Sequence, residues 1–158
     1  MNVPTAAQSL PRMTATLRQH LNNAFWDFSA QTYRQKESER LQQIKAGVSA
    51  DLVDVLRITF NLSDGHLAKL LNASLITLKR RRLQQKTLDS VASERIDRIA
   101  IVCQQALAVF ERKEAVTRWM SAPNQSLGFS IPVMLCLTEI GANQVRRVLH
   151  ALECGGVA

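Results

Sequence analysis

The chain has 158 residues and a mass of 17.7 kDa, enough for one domain or for two small ones that share a core. It is 46% hydrophobic and 21% charged, which excludes a disordered chain, and a chain of this length can bury roughly 70% of its extended surface without a metal or a disulfide. Twenty Lys and Arg against thirteen Asp and Glu leave a net charge of +7, which points to a polyanionic partner, nucleic acid before membrane.

No stretch approaches the roughly 20 apolar residues of a membrane span. Residues 1–10 lack the charged start and apolar core of a secretion signal. Cys103, Cys136 and Cys154 are widely spaced, and none falls in a Cys-x-x-Cys pair, so neither a disulfide framework nor a metal site is expected. The expected compartment is reducing and cytoplasmic. Only six Gly and four Pro, among many Leu, Ala, Arg and Gln, predict an all-α fold.

Residues 1–11 carry two prolines and no period, and read as frayed. Residues 14–23 read as a helix with Leu17 and Leu21 on one side; Phe25, Trp26 and Phe28 then cluster before Asp27 and Ser29 interrupt. Aromatics that close together cover a core or a self-association face, because each contributes a large buried area. Residues 31–45 are mostly polar and stop at Gly47.

A more regular block follows. Ser49 and Asp51 suit a helix start, and Leu52, Val55, Leu56, Thr59 and Phe60 recur at helical spacing. Ser63 can cap a second helix whose buried side is Leu67, Ala68, Leu70 and Leu71. Asn72-Ala73-Ser74 can turn the chain without glycine, and Ser74 can cap a third helix over 75–83 with Leu78 inward. Two short helices about a tight turn predict a helix–turn–helix. Between Gly65 and Leu88 lie Lys69, Lys79, Arg80, Arg81, Arg82 and Lys86 and no acidic residue, the local surplus that phosphate contact requires.

Ser93 is expected to open the longest helix, to about residue 112, with Ile96, Ile99, Cys103, Ala106 and Phe110 as an apolar seam. A short helix over 114–121 turns Ala115, Val116, Trp119 and Met120 inward. Two turns follow, then the apolar run 133–137, then a helix from Thr138 to residue 154 with Val145, Val148, Leu149 and Leu152 inward. Beyond Met120 the charges balance, Arg146 and Arg147 against Glu139 and Glu153. The chain therefore divides into a basic half, suited to DNA, and a neutral, apolar half suited to protein contact.

The pattern Ala115-x-x-x-Trp119-x-x-x-Pro123-Asn124-x-x-Leu127-Gly128-x-x-x-Pro132-x-x-Leu135-x-x-Thr138-Glu139-x-Gly141-x-x-x-Val145, ending Leu152-Glu153-x-Gly155, resembles the C-terminal domain of the Xre/MbcA/ParS antitoxins. Upstream, Glu39-Arg40-Leu41 through Gly47 and the helix–turn–helix resemble the Xre-like N-terminal domain of that family. The resemblance covers residues 39–158. It implies an Xre/Cro-like helix–turn–helix domain followed by a small helical toxin-binding domain, over 39–112 and 113–158, with 1–38 an N-terminal extension, helical in part. It implies a type II antitoxin that binds and neutralises a RES-domain toxin, which depletes NAD, and represses its own operon. A homodimer within a larger toxin–antitoxin complex is implied, and neither a cofactor nor a membrane partner.

On this resemblance Thr77, Lys79, Arg80, Arg81 and Arg82 are the DNA-contact candidates, although one helix face shows only about half of four consecutive residues to a groove. Arg146, Arg147, Leu152, Glu153, Cys154, Gly155, Gly156, Val157 and Ala158 are the toxin-contact candidates, the small C-terminal residues suiting a narrow cleft as well as a frayed end. The sequence departs from the family where Phe129 replaces a second glycine and where Met134 and Leu137 replace acidic residues, which makes this surface more apolar. Leu75 and Ile76 stand where relatives carry polar or basic residues; they read a thymine methyl or they weaken base reading.

The alternative is a stand-alone helix–turn–helix repressor whose C-terminal half only dimerises. Catalysis is not expected. His150 and Cys154 share a helix face, but no acid orients them in sequence, and the chain carries no Gly-rich phosphate loop or paired-carboxylate motif.

Overall fold

A computed structural model describes residues 13–156. Residues 1–12, with the expected frayed start, and Val157 and Ala158 at the proposed toxin-contact end lie outside the described residues. The described residues form helices α1 (Ala15–Arg34), α2 (Glu37–Ala46), α3 (Leu52–Thr59), α4 (Asp64–Leu71), α5 (Leu75–Leu83), α6 (Ser90–Phe110), α7 (Lys113–Ser121), α8 (Pro132–Leu135) and α9 (Glu139–Glu153). A single 3-10 turn, Gln125–Leu127, precedes α8, and no strand occurs among the described residues. The fold is all-α, with a helix–turn–helix followed by a smaller helical part.

Helix α6 is the central strut. α1, α2, α4, α7 and α9 all pack on it, and α1 also packs on α3. The core runs without a break from Phe25 to Leu149. Phe25 meets Trp26 edge-on at 5.4 Å and Phe60 at 5.0 Å, so the N-terminal aromatics seal α1 onto α3.

Two expectations about helix limits are corrected. The first helix does not stop at residue 23; α1 continues through the aromatic cluster to Arg34. Asp27 lies on its exposed side, and buried Ser29 donates to the Ala100 carbonyl at 2.8 Å while accepting from Gln104 at 2.9 Å. Tertiary hydrogen bonds thus remove the reason for Ser29 to break the helix. The polar stretch 31–45 is instead cut at Gln35 and Lys36, and α2 ends at Gly47, whose φ of +85° few other residues adopt. A methyl there meets the Leu88 carbonyl oxygen at 2.3 Å.

Likewise, Ser93 does not open α6. Asp89 does, accepting from the Ala92 amide at 2.8 Å, while Ser93 is buried one turn inside and accepts from the Val48 amide at 3.0 Å. That bond joins two backbone bonds, Leu88 N–H to Val48 O (2.8 Å) and Ala50 N–H to Lys86 O (3.2 Å). Together they tie the start and finish of the α3–α5 unit.

Candidate nucleic-acid and partner interfaces

The helix–turn–helix is set by local chemistry. Ser63 caps α4 by accepting from the His66 amide at 3.1 Å, and Ser74 caps α5 by accepting from the Thr77 amide at 3.2 Å. Between them Asn72 takes the left-handed conformation, φ +51°, that ends α4. Arg95 reaches from α6 to the carbonyls of Lys69 and Leu70, at 3.2 and 3.0 Å, capping the C-terminal end of α4 and fixing the motif on the strut. Leu78 is the buried anchor of α5.

The four consecutive cations divide as helix geometry requires. Lys79 and Arg80 are exposed. Arg81 is half-buried and donates to the Thr87 carbonyl at 3.0 Å, and Arg82 pairs with Asp54 of α3. Thr77 is half-buried, its hydroxyl 2.9 Å from that of Ser74. Arg80, Arg81, Gln84 and Lys86 line a recess of 380 Å³ at the end of α5, three cations and no carboxylate. Arg57 pairs with Asp64 and holds that carboxyl below its ordinary range, so two of the nearest acids, Asp54 and Asp64, are neutralised.

The second surface is built on α9. Thr138 caps it, accepting from the Gly141 amide at 3.0 Å. Arg146 bonds Glu139 at 2.5 Å, Asn143 at 2.8 Å and Gln105 of α6 at 3.2 Å, while Arg98 of α6 bonds the other Glu139 oxygen at 3.0 Å. Arg147 is exposed, beside a hollow of 520 Å³ lined by Leu127, Gly128, Gln144, Val148 and Ala151. Leu152 is half-buried, and Glu153 to Gly156 are exposed. Phe129 is 70% exposed and takes φ +60°, a conformation that costs a non-glycine residue about 1–2 kcal/mol. Met134 and Leu137, expected on the surface, are half-buried against the core.

Comparison with known proteins finds two matched segments, which meet within α6. Residues 39–100 match the family model of the antitoxin Xre-like helix-turn-helix domain, and residues 105–155 match that of the antitoxin Xre/MbcA/ParS C-terminal toxin-binding domain. The chain is 31% identical over 117 residues, 73% of its length and 78% of the relative's, to a protein named Antitoxin Xre from Yersinia enterocolitica serotype O:8 / biotype 1B. The chain belongs to the Xre antitoxin family.

In this Xre-family antitoxin, the sequence-based candidates form two groups on one scaffold: Thr77 and the α5 cations on one surface, Arg147 and the α9 end on the other. Arg146 differs from Arg147 in being held within its own chain. Ile140, 78% exposed, escaped the sequence reading. The signal was its phase, since it falls on the side of α9 away from Ala142, Val145 and Leu149.

Burial pushes the Cys103 thiol up and the Cys136 thiol up to about 12, so both stay protonated and inert. Glu153 stands near the His150–Cys154 pair without a hydrogen bond to it. Glu153 lies 3.8 Å from His150 Nδ1, and Cys154 Sγ 3.8 Å from Nε2. All three are exposed, and 3.8 Å between histidine and carboxylate is beyond a hydrogen bond.

Burial alone raises the Glu139 carboxyl, but Arg146 and Arg98 outweigh it and hold it below its ordinary value of 4.5. A depressed carboxyl contributes stability above its unfolded-state value and loses it as pH falls through the folded-state value. Glu139→Gln is therefore expected to be less stable than the parent at pH 7, with the gap closing on acidification to pH 3. Urea midpoints at both pH values measure it; an unchanged gap contradicts the clamp.

Proposed function

We propose that this chain is the antitoxin of a type II toxin–antitoxin system. It binds and neutralises a RES-type NAD-depleting toxin through residues 113–158 and represses its own operon through the helix–turn–helix of residues 39–112, with 1–38 an N-terminal extension that includes α1. It acts in the cytoplasm as a homodimer within a larger complex, since paired half-sites suit a two-fold protein. One observation carries the reading. The helix–turn–helix match holds a cationic surface on α5 without a carboxylate of its own, while the toxin-binding match holds the exposed α9 end, on a different part of the scaffold.

On the DNA side, Lys79 and Arg80 supply the main phosphate contacts, with Thr77, Arg81 and Arg82 beside them. On the toxin side, Arg147, Phe129 and residues 152–158 make the contact, and Arg146 serves it by orienting α9 through Glu139.

Affinity purification with the full chain and with a chain ending at Ala151 tests the proposal. The full chain is expected to retain a partner that consumes NAD once freed, and the shortened chain to lose it while still binding DNA. No partner with either chain, alongside salt-sensitive DNA binding, leaves a stand-alone repressor. The paired change Lys79→Ala with Arg80→Ala is expected to do the reverse. It weakens operator binding and makes the slope of log K against log salt shallower by about 2, while neutralisation survives. One substitution pair that abolished both activities in a folded chain would refute the division.

A further inference from the structure

Ile76 is 79% exposed and Leu83 78%, although Leu78 between them is buried. At 3.6 residues per turn, Ile76, Arg80 and Leu83 fall within about 60° of arc, on the side away from Leu78. Lys79 is exposed on their flank, and Arg80 opens onto the recess it shares with Arg81, Gln84 and Lys86. No carboxylate occurs between residues 65 and 88. The stripe is thus apolar points set among cations.

That combination selects its occupant. Two copies of the stripe face to face bring Lys79 and Arg80 of each against the other, and like charges repel. Duplex DNA offers the complement, because phosphates neutralise the cations and the 5-methyl of thymine is the apolar group that the base pairs present in the major groove. Ile76 is the second residue of α5, in the turn held by Ser74, and this end of the second helix is the part of a helix–turn–helix that meets base edges. Leu83 lies about 10 Å further along the axis, out of reach of the same base pair.

Resting on the DNA-binding reading above, we infer that Ile76 packs on a thymine 5-methyl in the major groove and determines the base at that position, while Lys79 and Arg80 hold the adjoining phosphates. The apolar start of α5 therefore sharpens base reading rather than weakening it.

The full chain is used to select duplexes from a random library, and each thymine of the selected site is then replaced by uracil, which removes only the methyl. Affinity is expected to fall about fourfold at one thymine per half-site. Ile76→Ala removes that penalty, Ile76→Val keeps part of it, and Leu83→Ala leaves it unchanged. Ile76 and Leu83 are exposed, so circular dichroism is expected to show unaltered helix content in all three variants. Uracil tolerated at every thymine overturns the inference and leaves DNA binding standing. So does a full penalty in Ile76→Ala, or a DNA-free dimer that Ile76→Ala dissociates. If no duplex is enriched, the DNA-binding reading falls and this inference with it.

Discussion

Gly141→Ala is expected to cost about 2–3 kcal/mol of stability, the reverse of the usual effect of replacing a helical glycine. A Cβ built on Gly141 lies 2.0 Å from the Leu135 carbonyl oxygen and 2.8 Å from its carbon. Both are backbone atoms, so no side chain can swing aside. α8 must then withdraw from α9, and it carries buried Pro132 and Val133, with buried Cys136 at its end. The melting temperature is expected to fall by roughly 5–10 °C in a chain of this size. Gly65→Ala is the control, since the nearest atom to a Cβ there is Ser63 Oγ at 4.0 Å. That change is expected to be neutral or to stabilise by up to about 1 kcal/mol. A Gly141→Ala protein as stable as the parent contradicts the close approach of α8 and α9.

Arg40→Ala is the second large effect. Arg40 of α2 grips Asp97 of α6 through Nη2 and Nε, at 2.5 and 3.0 Å, and Asp97 is only 6% exposed. Its bond to Asp97 raises the Arg40 pKa against the opposing effect of burial. Removing the cation leaves a carboxylate enclosed without its partner, which costs about 3–5 kcal/mol for a fully buried pair. Arg40 keeps some solvent access, so about 2–3 kcal/mol is expected here. The joint replacement Arg40→Met with Asp97→Leu removes both charges and is expected to recover most of the loss. Urea unfolding of the three proteins measures this; equal loss in the single and joint variants would mean that Arg40 matters for its packing and not its charge.

The parts legible in the sequence are those whose cause is local. Ser63, Asn72, Ser74 and Thr138 act on amides or a backbone angle within three residues, so reading the string in order finds the turn, both caps and the start of α9. Parts with distant causes were misread. Ser29 looks like a helix breaker until the Ala100 carbonyl, 71 residues on, accepts its proton. Ser93 looks like a cap until Val48 claims its oxygen. The same holds for the candidate sites. Four adjacent cations are equivalent in sequence, and only the position of Asp54 on α3 and the Thr87 carbonyl withdraws two of them. Arg146 and Arg147 are likewise equal until Glu139 and Gln105 take the first.

Adjacent residues of α6 reach different neighbours: Asp97 holds α2, and Arg98 holds Glu139 at the start of α9. With Arg95 also fixed to α4, three neighbouring side chains on one rod bind the helix–turn–helix and the C-terminal helices together. Under the proposed function, a protease that opens α6 therefore removes both activities at once, whereas loss of residues 152–158 removes one. Turnover of the chain sets a single clock: under the proposed function, the operator is vacated and the toxin released in step.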